Sequence, residues 1–313
     1  MTHDWNNLSL TGCLFDAEPV AGPSLQVPSL RLPDRVDLRA HCSPIEHQLH
    51  TNSCVANAVV GALEFHQRRA RQPTIDLSRL FVYYNARALA EKENEDCGSY
   101  IHHGMAALLA HGACEERMWP FLEAMVKTKP TMGCFKNASY YEAVQYARTP
   151  LGVPALAAIS QGLPVVFGTY IPMDYYHAGD KTGIMPGPGE VVQTQPPSGH
   201  AMLMVGYDMT EKAWLVRNSW GAGFADGGYV WIPFDTLEAW SDATSFWTIG
   251  AIEAIDGFSL VGPQMTAPVL GGADAPEEAG TGGISEKRQA LRSELSDRLD
   301  ASKSSLKDRL RGK

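Results

Sequence analysis

All 7 Trp, 11 Tyr and 10 Phe residues lie at or before Phe258, so the last 55 of the 313 residues carry no aromatic side chain. Large rings supply most of the buried area of a core, and a segment without them cannot build one of its own. The folding unit is therefore expected to end near residue 258. Between Gly262 and Gly283, nine of 22 residues are Gly or Pro, the composition of a flexible tether. Beyond it, Ile284, Leu291, Leu295, Leu299, Leu306 and Leu310 recur at helical spacing on one narrow stripe. The chain thus divides into an N-terminal extension (1–31), a globular domain (32–258), a Gly/Pro-rich linker (259–283) and an amphipathic C-terminal helix (284–313).

Charge follows the same division. The net charge is -9, but residues 286–313 hold nine Lys/Arg against five Asp/Glu, leaving an acidic body. With that balance and no basic stripe interleaved with aromatics, nucleic acid is not expected as a partner. No stretch approaches the roughly 18 apolar residues of a membrane span, so no integral membrane segment is expected. The opening Met1-Thr2-His3-Asp4 has neither a basic start nor an apolar run after it, which predicts a cytoplasmic protein. The six cysteines form no C-x-x-C pair, and free thiols are expected.

Within the body, Asn52-Ser53-Cys54 followed by Val55, Ala58, Val59, Ala62, Leu63 and Phe65 reads as a capped, mostly buried helix to about Arg69, with Cys54 in its first turn. Residues 78–92 and 101–112 read as further helices. The second half changes to short β-branched and aromatic runs starting at Leu163, His200, Ala213, Gly228 and Phe246. A helical half followed by a strand-rich half implies an α+β fold, with the site in the cleft between them.

Cysteine attacks as thiolate, and a helix N-terminus with a nearby imidazole lowers its pKa. Cys54 has the helix; His200, opening one strand, and Asn218, closing the next, are placed by a simple hairpin to act as base and orienting amide. Gln48, six residues before Cys54, supplies a side-chain amide for the oxyanion.

In this order, Gln48, Cys54, His200 and Asn218-Ser219-Trp220-Gly221 resemble the papain family of cysteine peptidases. The match begins at Leu32-Pro33-Asp34-Arg35-Val36-Asp37 and runs to about residue 256, and it is closest to bacterial-type members without a long inhibitory propeptide. The resemblance implies a two-lobed fold, a helical left lobe beside an antiparallel, barrel-like right lobe. It implies Cys54 as nucleophile, His200 as general acid/base, Asn218 as its orienting amide, Gln48 as oxyanion donor and Trp220 as a shield over the His–Asn pair. Gly98, Ser99, Asn52 and Gly199 would line the substrate cleft. No cofactor or metal is implied. The departures are Leu49 and Asn52 where the family has Gly, so that the Asn52 side chain is expected to narrow the cleft, and Thr51 where it has Cys, which leaves Cys97 without a partner. The 36 residues before Asp37 are short for an inhibitory prodomain, and the sequence does not reveal what restrains the enzyme.

His102-His103 could suggest a metal, but neighbouring helical side chains diverge by about 100°. Asn137-Ala138-Ser139 matches a glycosylation acceptor, a triplet common by chance. Leu270-Gly271-Gly272 suits a cleavage site and equally an ordinary linker. Two functions follow. One is a thiol peptidase acting on peptide or protein substrates through a thioester. The other is an impaired or acyl-transferring relative serving as cargo or scaffold, delivered by residues 284–313 binding a protein partner or one another.

Overall fold

The computed structural model describes residues 11–18, 20, 24, 25, 31–70 and 75–252. The linker and the leucine-striped tail lie outside the described residues.

In chain order the elements are β1 (Cys13–Leu14), β2 (Arg35–Asp37), α1 (Cys54–Arg69), α2 (Arg79–Ala88), β3 (Ser99–Tyr100), α3 (Ile101–His111), α4 (Met132–Ala138) and β4 (Ala143–Arg148). They continue with α5 (Val153–Ser160), β5 (Val165–Thr169), α6 (Met173–Thr182), β6 (His200–Asp208), β7 (Ala213–Arg217), β8 (Tyr229–Pro233), α7 (Phe234–Trp240) and β9 (Ser241–Ile252). Helices dominate the first half and an antiparallel sheet the second, the α+β arrangement expected. The sheet order is β4-β9-β5-β6-β7-β8, with β2 added to β6.

Fourteen of the 16 residues of α1 are buried. A helix apolar nearly all round must be covered all round, and α1 is: α2 and α3 pack on one side and β6 on the other. One core joins α1–α3 to the inner face of the sheet, and a second lies among α5, α6 and the outer face. The hairpin of β6 and β7 pairs Leu203 with Arg217, which brings the two strand ends bearing His200 and Asn218 together. Among the described residues no helix is long and apolar enough to cross a membrane.

Several boundaries differ from the sequence reading. The helix expected over 78–92 ends at Ala88, because the chain folds back so that Arg87 donates to the carbonyls of Glu95 and Val126. The stretch 170–198, to which the sequence reading assigns no element, contains α6. The helix start at Cys54 has no side-chain cap. Asn52 instead donates from Nδ2 to the Asp96 carbonyl at 2.7 Å, and Ser53 Oγ lies 2.7 Å from Thr51 Oγ1.

Two opposed sets of buried titratable groups shape the pH response. Burial raises the carboxyls of Glu46, Glu64 and Glu116, the latter two to about 7. They retain protons that the unfolded chain has already released, so stability linked to them falls as pH rises from about 4.5 to 7. Burial lowers the imidazoles of His66, His102 and His200, His66 and His200 to about 4. There the unfolded chain binds more protons, and stability rises with pH between about 4 and 6.5. With Glu64 and Glu116 set against His66 and His200, the largest contributions nearly cancel, and Tm should change little between pH 4.5 and 6.5. Glu64→Gln leaves one imidazole unopposed and should give stability a slope of about 1 kcal/mol per pH unit, rising with pH. Thermal melts of both proteins across this range would check it, and parallel curves would contradict it.

Candidate active site

Cys54 opens α1 and is fully buried. Burial acts most on its thiol, and the nearby backbone N–H groups of Ala201, Val55 and Cys54 itself work against that by favouring the charged sulfur. His200 Nε2 lies 2.8 Å from Asn218 Oδ1, which also accepts the Ser219 N–H at 2.8 Å. Two donors on one oxygen fix the amide, and through it the ring. Nδ1, the other ring nitrogen, has no hydrogen-bond partner among the described residues. Trp220 stacks on His200 at 4.9 Å between centroids with planes 25° apart, and Tyr176 meets both rings edge-on. His200, Trp220 and Tyr176 are all fully buried.

Gln48 is tied to the same segment. Its N–H donates to the Ser219 carbonyl at 2.8 Å, its Oε1 accepts Ser219 Oγ at 2.7 Å, and its Nε2 donates to the Thr51 carbonyl at 3.0 Å. One hydrogen of that NH2 group remains for another acceptor. Leu49, next along, has φ of 52°. This left-handed backbone explains a glycine preference at that position, and leucine carries it at roughly 1 kcal/mol. Arg217, 5% exposed, donates to the Ser43 and Pro44 carbonyls at 2.9 and 2.7 Å and so anchors the end of β7 immediately before Asn218.

Residues 11–16 lie in the cleft. Gly12 packs on the nucleophile candidate so tightly that a Cβ there would sit 2.6 Å from Cys54 Sγ and 2.7 Å from the Asn52 carbonyl oxygen. Its own carbonyl accepts the Ser99 N–H at 3.0 Å, and Cys13 N–H donates to the Gly199 carbonyl at 3.1 Å. Cys13-Leu14 thereby adds a short parallel strand to Ser99-Tyr100. Gly98, with φ of 82°, lets the loop turn beneath the segment, where a Cβ would come within 2.6 Å of the Gly12 oxygen. Thr11 Oγ1 donates to Asn52 Oδ1 at 2.7 Å, Asp16 meets His102 at 3.1 Å, and the ring of Phe15 lies 3.9 Å from that of Tyr170.

The strap thus engages Gly98, Ser99, Gly199 and Asn52, four residues read from sequence as lining the cleft. Asn52 does not stand free in the cleft: its Nδ2 is held by Asp96, and its Oδ1 receives the strap. With the cleft covered, burial pushes the Cys54 thiol up to about 12 and holds His200 down to about 4. The covered pair is a neutral thiol and a neutral imidazole. All six cysteines are unpaired. In place of a disulfide, Asn52 N–H and Nδ2 bind Asp96 at 3.1 and 2.7 Å and tie the two loops together. Tyr176, Ser219 and Arg217 were not singled out from sequence. Ser219 alone had a signal, its place between Asn218 and Trp220.

A family model described as "Papain family cysteine protease" matches residues 32–243. The chain belongs to the papain family. Relatives in this family include an uncharacterized peptidase C1-like protein of Acanthamoeba polyphaga mimivirus, 31% identical over 209 residues, covering 63% of this chain and 66% of that protein. Cathepsin K of Gallus gallus is 28% identical, with 68% and 63% covered. The chain spans about two thirds or less of the length of such curated papain-family relatives. Among solved structures, xylellain, a cysteine protease from Xylella fastidiosa, superposes with a TM-score of 0.70 at 28% identity, covering 80% of this chain and 98% of that one. The papain-type fold also matches the digestive procathepsin L 3 of Tenebrio molitor, TM-score 0.56 at 19% identity.

Proposed function

We propose that this chain is a cysteine peptidase that cleaves peptide bonds through Cys54, His200 and Asn218, with Gln48 completing the oxyanion site. The observation that carries the reading is the buried His200–Asn218 hydrogen bond beneath Trp220, with the opposite ring nitrogen without a hydrogen-bond partner among the described residues. Once the strap withdraws and water enters, a helix N-terminus and an adjacent imidazolium favour the thiolate. His200 Nδ1 takes the thiol proton, the sulfur attacks the acyl carbon, and the oxyanion is held by the Cys54 N–H and Gln48 Nε2. The imidazolium gives its proton to the leaving amine, leaving a thioester, and His200 then activates the water that hydrolyses it. Six unpaired thiols suit a reducing compartment.

Alkylation tests this directly. Iodoacetamide should modify Cys54 stoichiometrically and abolish hydrolysis of a fluorogenic peptide library in step. Full hydrolysis by a chain alkylated at Cys54 would overturn the reading, and a chain that hydrolyses nothing before alkylation would favour a scaffold role.

Gln48→Ala should lower kcat by about 10²–10³-fold with a smaller change in KM, the signature of a donor used mainly in the transition state. A change confined to KM would assign Gln48 to substrate binding instead.

A further inference from the structure

Two thiols, Cys13 of the strap and Cys54, lie buried at the covered cleft. Cys13, in β1, is 3% exposed, and its sulfur occupies the space that a side chain at Gly168 would take, 2.9 Å from the position of a Cβ there. Gly168 is the Cα partner of Ala201 across β5 and β6, and Ala201 offers its N–H to the Cys54 sulfur. Both sulfurs therefore lie beside the Gly168–Ala201 rung of the sheet. Gly12, the residue before Cys13, already touches Cys54 Sγ. A disulfide needs Cα atoms about 4.4–6.8 Å apart, a spacing that a re-seating of the strap has to supply. Main-chain hydrogen bonds hold Gly12 and Cys13 in the cleft, and Gly12 has no side chain to resist a small shift.

We propose that Cys13 is a resolving thiol for Cys54, and that hydrogen peroxide drives formation of a Cys13–Cys54 disulfide that fastens the strap across the cleft. The inference rests on the reading of Cys54 as the reactive thiol. With the strap withdrawn, the Cys54 thiolate attacks a peroxide oxygen, giving Cys54 sulfenic acid and hydroxide. When the strap returns, the Cys13 sulfur attacks the sulfenic sulfur, an S–S bond forms, and the departing hydroxide takes the Cys13 proton as water. Two thiols lose two electrons, and one peroxide becomes two waters. Burial and the neighbouring Cys54 both raise the Cys13 thiol, which keeps it protonated and spares it from direct oxidation in the covered state. A dithiol reductant reverses the bond and frees the cleft. The device would also protect Cys54 from irreversible over-oxidation.

The test treats the full chain with hydrogen peroxide, then maps peptides by mass without reduction, for wild type and Cys13→Ser. The expected result is a Cys13–Cys54 cross-linked peptide pair in wild type, removed by dithiothreitol together with recovery of hydrolysis. In Cys13→Ser the cross-link is lost, and Cys54 advances to sulfinic acid with no recovery. The proposal is overturned if wild-type Cys54 reaches sulfinic acid as fast as in the variant, pairs with another cysteine, or remains a thiol. Hydrolysis by the reduced protein is measured alongside. A cross-link in a chain that never hydrolyses peptides would keep the latch and discard the peptidase reading, and hydrolysis without a cross-link would do the reverse.

Discussion

Gly12→Val should speed alkylation of Cys54 by about 10- to 100-fold and raise kcat/KM on peptides, while lowering Tm by only a few degrees. No side chain fits at residue 12 with the strap seated, because the first added carbon would lie 2.6 Å from Cys54 Sγ and 2.7 Å from a backbone oxygen. The strap must lift, losing the Ser99-to-Gly12 and Cys13-to-Gly199 hydrogen bonds. At about 0.5–1.5 kcal/mol each these bonds correspond to the stated range, since roughly 1.4 kcal/mol is tenfold. Release also returns Cys54 to water, removing the burial that holds its thiol up. Stopped-flow alkylation beside a thermal melt would decide the matter. A variant no faster than wild type, equally stable, would show that the strap does not gate access.

Cys54→Ala and His200→Ala should each abolish peptide hydrolysis, lowering kcat by about 10⁴-fold or more, because nucleophile and base act as a unit. Asn218→Ala should retain a partial rate, down about 10- to 100-fold. It removes a hydrogen bond that orients the ring, worth about 1–3 kcal/mol once its partner is left buried and unpaired. The double variant Cys54→Ala/Asn218→Ala should be no worse than Cys54→Ala alone. Steady-state kinetics on one fluorogenic peptide suffice, and undiminished turnover by Cys54→Ala would end the mechanism.

The site residues were legible because each sits beside a local signal. Cys54 precedes an apolar run that can only be a buried helix, while His200 and Asn218 stand at the joined ends of a hairpin whose strands are mostly apolar and buried throughout. Gln48 was readable from its distance to Cys54. The strap was not legible, since residues 11–16 have no periodicity and their partners, Ser99 and Gly199, lie 86 or more residues further along the chain. Nothing in the sequence says that Asn52 serves Asp96 and Thr11 rather than the helix it precedes. Tyr176 and Arg217 are invisible for a related reason: each acts through contacts that only the packing of the two halves creates. Order and spacing thus pick out the groups proposed to react, and tertiary contact shows the groups that hold them.

The open start of α1 bears on any attempt to engineer this molecule. A helix whose first amides lack a side-chain acceptor is an inviting target for stabilisation, since adding a cap commonly contributes about 1 kcal/mol. Here those amides are turned toward a sulfur. An acidic cap at residue 53 would compete for the same N–H groups and set a negative charge beside the thiolate. Robustness and reactivity draw on one set of donors at this helix end, so a sturdier α1 would come with a duller thiol.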